Sequence, residues 1–271
     1  MSSSFATGRA SVSYAVSPDF NTYFTYARGY KAKAYQDIAT RYIFMGDNSD
    51  LTVDAAQINS YELGIKTQSP DKRAGVNVAL FLNDVKDDHV SYVDMVTLTQ
   101  AVANNDTETK GVEVEGFWKP GKGFTITAGA GYTDAQITGV PANAQDVKEE
   151  NCVPYSPKWN ATVSISHNLS LPPFWGMTSP SLYTSVTNRY VGDRQGDPEN
   201  SFELDAYNKL DLRIGIMSEH LEFYLWCDNL FDETYDLYGY NLGTSVIDGS
   251  TVLAGTPARG RILGIGIAYY F

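Results

Sequence analysis

The sequence predicts an all-β protein, an antiparallel transmembrane β-barrel portion of about eleven strands. Three observations lead to this prediction. Segments that alternate apolar and polar residues recur along the 271 residues, short and long connections alternate between them, and the final segment is an apolar strand. A strand that crosses a bilayer needs only about 9–11 residues, half of them apolar. No apolar run in this chain reaches the roughly 18 residues that a spanning helix needs.

The terminal strand is the most informative segment of the chain. Leu263, Ile265, Ile267, Tyr269 and Phe271 alternate with mostly smaller residues, so they share one face of a strand. Soluble domains rarely end on a bare apolar strand, whereas the last strand of a transmembrane barrel pairs with another strand and meets lipid with its outer face. We therefore expect these five residues to be an assembly signal for the barrel. The alternative is the buried last strand of a soluble β-sandwich.

In the first half of the chain, aromatic and β-branched residues in period-2 order identify the strands. Tyr23, Tyr26 and Tyr30 give the second strand high β-propensity, and Phe124 and Ile126 begin the apolar face of the sixth. Turns rich in Pro, Gly, Asp and Lys separate these strands. The predicted strands are 8–16, 20–30, 61–68, 74–95, 107–118 and 124–138, with turns at 17–19, 69–73 and 119–123 and a long polar connection at 31–60.

The second half of the chain continues the pattern, with predicted strands at 159–169, 181–191, 206–217, 221–228 and 262–271. A turn at 218–220 joins two of these strands, and long loops separate the others on one side. This alternation of tight turns and long loops is typical of barrels with short periplasmic turns and long extracellular loops. We expect two strands to divide their residues between lipid (Leu212, Ile214, Phe223, Leu225) and lumen (Arg213, Tyr224, Trp226).

Composition fits a membrane barrel and argues against other function classes. The 19 Tyr and 4 Trp are residue types that form girdles at membrane interfaces, and the net charge of −12 argues against nucleic acid binding. His89, His167 and His220 are scattered without metal-binding spacing, and no catalytic or phosphate-binding motif is present. We therefore expect no enzyme, no metal and no cofactor. Cys152 and Cys227 lie far apart, and a disulfide between them stays an open alternative.

Several segments together resemble the β-barrel of TonB-dependent outer-membrane receptors. The most specific is Asp228–Tyr235, DNLFDETY, which resembles the family's xNLFDxxY segment. Ala32-Lys33-Ala34 stands where the family has glycines, so that loop is expected to differ in shape. The other matches, in family order, are RGYK at 28–31, NSYELGIK at 59–66, FLND at 81–84, TKGVEVE at 109–115, VPYSP at 153–157 and PARGR at 257–261.

The resemblance implies that residues 1–271 are the C-terminal half of a 22-stranded receptor barrel, without the N-terminal plug that carries the TonB box. Met1–Thr7 also lacks the charged and apolar regions of a signal peptide, so we expect a mature form, a fragment or a gene remnant. The implied location is the outer membrane of a Gram-negative bacterium. The implied partners are outer-membrane lipid, the barrel assembly machinery, TonB through the plug alone, and a small ligand of unknown identity.

The function that the resemblance implies is TonB-dependent uptake of a scarce ligand such as an iron-siderophore, cobalamin or a sugar. Tyr235, Tyr238 and Tyr240, in the last long loop, are candidates for contact with an apolar or aromatic ligand, and anchoring at the membrane interface is the alternative. Two other functions remain open: a passive or structural outer-membrane barrel without energy coupling, and a soluble β-rich binding module. A detergent requirement distinguishes the soluble module, and dependence on TonB distinguishes the passive barrel.

Overall fold

The computed structural model describes residues 5–35, 52–94, 99–140, 147–245 and 247–270. The regular secondary structure of these residues consists of β-strands. In this part of the chain no helix is long and apolar enough to cross a membrane. The strands are β1 (Gly8–Ser17), β2 (Phe20–Lys31), β3 (Ala34–Tyr35), β4 (Thr52–Val53), β5 (Ala56–Gln68), β6 (Ala74–Asp94), β7 (Thr99–Gly121), β8 (Phe124–Gly139), β9 (Trp159–Ser170), β10 (Ser181–Val191), β11 (Arg194–Gln195), β12 (Glu203–Leu204), β13 (Tyr207–Met217), β14 (Leu221–Asp228), β15 (Asp236–Thr244), β16 (Thr251–Pro257) and β17 (Ile262–Tyr269).

Eleven of these strands form one antiparallel sheet in the order β1-β2-β5-β6-β7-β8-β9-β10-β13-β14-β17. The predicted fold class and the number of sheet strands are therefore confirmed, and β10 and β14 have the predicted bounds. Two predicted starts were wrong, because β5 begins at Ala56 and β7 at Thr99. Both strands pair with β6 well beyond the apolar alternation that identified them, since backbone hydrogen bonds do not depend on side-chain polarity.

The connections of the sheet divide between two ends. The end with short connections is called the turn end; its connections are 17–20, 69–73, 119–123, 171–180 and 218–220. The other is called the loop end, and it holds three small sheets, β3-β4, β11-β12 and β15-β16, which the sequence did not predict. The segments of the loop end are the connections 31–56, 86–106, 140–158, 192–206 and 229–261, of which the structure describes the residues outside 36–51, 95–98, 141–146 and 246.

The register separates the sheet into an apolar face and a polar face. Val12, Phe24, Leu63 and Leu80 are cross-strand partners on β1, β2, β5 and β6, and all four are exposed. The neighbouring row on the other face is polar: Ser11 Oγ lies 2.9 Å from Thr25 Oγ1 and Tyr23 Oη donates to Glu62 Oε1 at 2.6 Å.

The same two faces continue to the last strand. Leu225 pairs with Ile214 and Ile265 on the apolar face, whereas Arg213 forms an ion pair with Glu222 on the polar face. The predicted division of Leu212, Ile214, Phe223 and Leu225 from Arg213, Tyr224 and Trp226 is therefore confirmed as two faces. Leu263, Ile265, Ile267 and Tyr269 are all exposed on β17, and Phe271 lies outside the described residues.

Buried apolar side chains are concentrated at the loop end. Ile137 is fully buried where β8 pairs with β7, and Val53, on β4, and Val90, on β6, are also buried. The segment after β4 is tied to β7, because the Asp54 N–H donates to Asn104 Oδ1 at 2.8 Å and Asn104 Nδ2 donates to the Asp54 carbonyl at 3.1 Å. The loop end thus has a small core of its own.

Candidate functional site

The loop end contains the three tyrosines that the sequence singled out. Tyr238 and Tyr240 lie on β15, and Tyr235 immediately precedes that strand. The hairpin of β15 and β16 forms because residues 236–257 alternate in short β-prone runs around the turn at Asp248–Gly249, where Gly249 has a φ of 73°. The three side chains nevertheless have different surroundings.

Tyr235 is occupied by contacts within the protein. Its ring stacks on that of Tyr207, with the centroids 3.8 Å apart and the planes 11° from parallel. The Arg194 guanidinium lies over the ring of Tyr207, 5.7 Å from the centroid of that ring. Burial raises the pKa of the Tyr235 phenol above its ordinary value. These contacts make Tyr235 a residue that fixes the start of the hairpin.

Arg194 is a positioning residue that sequence reasoning missed. It is only 7% exposed, and its Nη2 donates to the carbonyls of Asp236 at 2.7 Å and Leu237 at 3.3 Å. These bonds join the β11–β12 hairpin to the β15–β16 hairpin. The sequence did hold one signal: Arg194 is the single basic residue among five acidic ones in segment 192–206. A lone cation in such a segment has carbonyls and carboxylates as its available partners.

Tyr155 supports the hairpin from segment 140–158. Its Oη donates to the Gly239 carbonyl at 3.0 Å, and its ring lies edge-on to Tyr238 with centroids 5.5 Å apart. Burial is the main cause that raises the pKa of the Tyr155 phenol, and the neighbouring Tyr240 and Asp197 add to it. The hydroxyl therefore stays protonated as a donor. In the sequence, Tyr155 lies within the VPYSP segment, and no local pattern there indicates its role.

On the β15–β16 hairpin, Gly239 is buried while its neighbours on β15 are exposed. Gly239 points towards β12, and an added Cβ there would lie 2.7 Å from Phe202 and 3.1 Å from Leu204. The alternate residues on β15 remain exposed, and with an exposed valine of β16 they form what we call the hairpin face: Tyr238, Tyr240, Leu242 and Val252. Two of the three predicted tyrosines are therefore on an open apolar surface.

The polar face of the sheet provides a second concave region. A cavity of about 300 Å³ opens between β10, β13 and β14, and is lined by Tyr183, Asp211, Arg213 and Trp226, among others. Ion pairs occupy its charged groups: Asp211 contacts Arg189 and Lys209, and Arg213 contacts Glu222. Within the described ranges, no group of three or more His, Cys, Asp or Glu could hold a metal ion. Cys152 and Cys227 are free thiols, so the disulfide alternative is wrong.

Comparison with a protein-family model gives a match to the TonB dependent receptor-like β-barrel over residues 1–230. The chain is 28% identical to the pesticin receptor of Yersinia pestis over 243 residues, which are 89% of this chain and 33% of that protein. It is 22% identical to the ferrichrome outer membrane transporter/phage receptor of Escherichia coli K12 over 236 residues, 84% of this chain and 28% of that protein. The chain thus spans about a third of the length of these curated relatives.

Among solved structures, the ferric yersiniabactin uptake receptor of Yersinia pestis matches with a TM-score of 0.75 at 23% identity, covering 98% of this chain and 37% of that one. A siderophore receptor of Acinetobacter baumannii matches with a TM-score of 0.71 at 19% identity, covering 98% of this chain and 36% of that one. At these identities the likeness concerns the fold. In both cases about a third of a larger barrel protein corresponds to the eleven-stranded sheet.

Proposed function

The chain belongs to the TonB-dependent receptor-like β-barrel family, and on this premise we propose that it is the C-terminal part of an outer-membrane receptor that takes up a scarce ligand such as an iron-siderophore. The observation that carries the proposal is one antiparallel sheet of eleven strands, with an exposed apolar face, a polar face and structured loops at one end only. The family is one of receptors and transporters, and we assign no catalytic step to this chain.

In this proposal the two faces of the sheet contact different environments. The apolar face meets lipid, where exposed Val12, Leu63, Leu80 and Ile265 bury their surface, and the polar face lines the barrel lumen. The loop end is extracellular and the turn end is periplasmic, because outer-membrane barrels have long loops outside and short turns inside. The hairpin face then lies where an arriving ligand first meets the protein.

The partners follow from this placement in the outer membrane of a Gram-negative bacterium. Residues 1–271 supply the C-terminal part of the barrel, and TonB acts through a plug in the rest of the receptor. The barrel assembly machinery engages the terminal strand, whose apolar side chains are exposed on β17. Two of the similar proteins are named for ferrichrome and ferric yersiniabactin, which favours an iron chelate as the ligand, and another is named for pesticin.

Uptake of radioactive iron chelates by cells that produce the complete receptor tests the proposal. We expect uptake in cells with TonB and its loss in cells without TonB, while the receptor remains in the outer membrane and needs detergent for extraction. Uptake that is unchanged without TonB would instead identify a passive barrel. Extraction of a folded protein without detergent would identify a soluble binding module.

A further inference from the structure

The charges of the chain are divided unevenly between the two ends of the sheet. Among their described residues, the five loop-end segments contain eight Lys or Arg and sixteen Asp or Glu, a net charge of −8. The five turn-end connections contain four basic and three acidic residues, a net charge of +1. Most of the net charge of −12 is therefore carried by described residues on the side that faces the medium in the proposed orientation.

Three of the basic side chains at the loop end, Lys33, Lys86 and Arg194, are engaged within the protein. Lys33 forms an ion pair with Asp54, and Lys86 Nζ lies 2.9 Å from Asp106 Oδ2. Arg194 is buried, and its Nη2 donates to two backbone carbonyls. A cation that is already paired or buried offers little to an anionic ligand, because binding would require it to give up these partners.

The hairpin face offers contacts of a different kind. Tyr238 and Tyr240 present exposed rings, and Leu242 and Val252 extend the same apolar surface. Burial of such surface favours a ligand with apolar or ring-shaped parts, and each buried aromatic ring removes a large area from water. This observation is independent of the charge distribution, and both describe the same extracellular end.

We propose that the ligand is an iron chelate whose net charge is zero or positive and that part of its apolar surface contacts the hairpin face. The inference rests on the proposed function, because it takes for granted that the loop end receives a chelate. A surface with a net charge of −8 repels anions and concentrates cations, and this potential changes association rates by factors of about 10 or more at low ionic strength. A trianionic chelate is the ligand that such a surface disfavours most.

The electrostatic part is tested without any ligand, with one exposed reporter tryptophan at each end of the sheet. Ile247 is 93% exposed at the tip of the β15–β16 hairpin and is replaced with tryptophan, and Trp175 is 93% exposed in connection 171–180. Wild type, Ile247→Trp and Trp175→Phe, each in the complete receptor, give the two fluorescence contributions by difference. We expect the ratio of caesium to iodide quenching to be higher for the tryptophan at position 247 than for Trp175. An equal or lower ratio at position 247 would overturn the inference.

The ligand part is tested with two probes of similar size, a neutral ferric trihydroxamate and a trianionic ferric tris-catecholate. We expect the complete receptor to bind the neutral chelate about tenfold or more tightly at low ionic strength, with a smaller gap at high salt. Neutralising three exposed loop-end carboxylates, Glu149→Gln with Asp193→Asn and Asp205→Asn, should narrow the gap. Glu219→Gln at the turn end is the matched control and should leave it unchanged.

The outcomes distinguish a failure of the inferred ligand charge from a failure of the proposed receptor function. The inference would be overturned if wild type bound the trianionic chelate more tightly. It would also be overturned if the difference in affinity between the two chelates changed neither with salt nor in the triple variant. Both results would still be compatible with a receptor for iron chelates. TonB-independent uptake in the earlier experiment would overturn the proposed function. In that case the quenching ratio still decides whether the loop end repels anions.

Discussion

The middle of the sheet and the loop end are stabilised in different ways. In the sheet, apolar side chains such as Leu63 and Leu225 are exposed on one face and ion pairs occupy the other. At the loop end, Ile137 is fully buried and Arg194 bonds the carbonyls of a neighbouring hairpin. In the proposed barrel, lipid covers the apolar face of the sheet, whereas the loop end buries apolar side chains within the protein. Changes in the sheet should depend on the membrane, and changes at the loop end should be independent of it.

The largest expected effect concerns the edge of the sheet. Deleting Phe271 in the complete barrel should sharply reduce membrane insertion, because Phe271 continues in the sequence the apolar alternation that β17 exposes and that we expect to be the assembly signal. Heat-modifiable migration of outer-membrane protein measures the folded fraction. Phe231→Ala, which removes an exposed aromatic ring at the loop end, is the control and should insert normally. An unchanged folded fraction without Phe271 would contradict the assembly signal.

A pair of leucine substitutions sharpens the contrast between the regions. Leu225 in the sheet is 43% exposed and Leu253 in the β15–β16 hairpin is 53% exposed, so the protein alone covers them to a similar degree. Leu225→Arg should cost roughly 2–4 kcal/mol, since it places a charge in lipid near the midplane. Leu253→Arg should change stability by about 0.5 kcal/mol or less, because it stays in water. Refolding titrations into lipid vesicles measure both, and equal costs would refute the assignment of the apolar face.

Removal of the buried guanidinium tests the internal support of the loop end. Arg194→Ala leaves the carbonyls of Asp236 and Leu237 without their donor, which should destabilise the hairpin by about 1–3 kcal/mol. Amide hydrogen exchange should rise in residues 236–257 and stay constant in β9. Arg189→Ala removes an ion pair on the polar face and is the control; it should cost about 0–1 kcal/mol. Faster exchange throughout the sheet in Arg194→Ala would argue against separate regions.

The small core of the loop end should respond to loss of a single methyl group. Ile137→Val should destabilise that region by about 0.5–1.5 kcal/mol, because the side chain is fully buried in protein. Ile165→Val, on the apolar face of β9, should cost less, since lipid fills the space that the methyl leaves. Protease susceptibility of the loops measures the first change and thermal unfolding in lipid the second. A larger cost at Ile165 would reverse the comparison.

The smallest expected effect is a titration at the tip of the hairpin. Ser250 donates to Asp248 through its hydroxyl at 2.7 Å and its N–H at 3.1 Å, and these bonds, with one from Ser245, lower the pKa of Asp248 from 3.8 to about 2. A lowered carboxylate pKa stabilises the folded turn above pH 3.8, and this contribution is lost as the pH falls through about 2. NMR titration of the carboxylate should show a higher midpoint in Ser250→Ala. An unchanged midpoint would contradict this account.

The predictions from sequence succeeded where one local pattern was sufficient. Alternating runs such as 181–191 and 221–228 fixed strand bounds, and alternation across Arg213 and its neighbours identified the two faces. The same reasoning failed for the starts of β5 and β7, where polar residues continue a ladder whose hydrogen bonds come from the backbone. It also failed for the three small sheets, which are two to nine residues per strand and lie in polar connections.

The sequence by itself determined the all-β class, the eleven-stranded sheet, the alternation of faces and the acidic character of the loop end, because each depends on residue order or on counting charges. Only the tertiary structure decided how Tyr235, Tyr238 and Tyr240 differ, since a stack on Tyr207 and an open hairpin face depend on which distant segments meet. Arg194 acquired its role in the same way, through carbonyls 42 and 43 residues along the chain. Period-2 patterns specify the face of a strand, but the packing of loops depends on long-range contacts that no local pattern records.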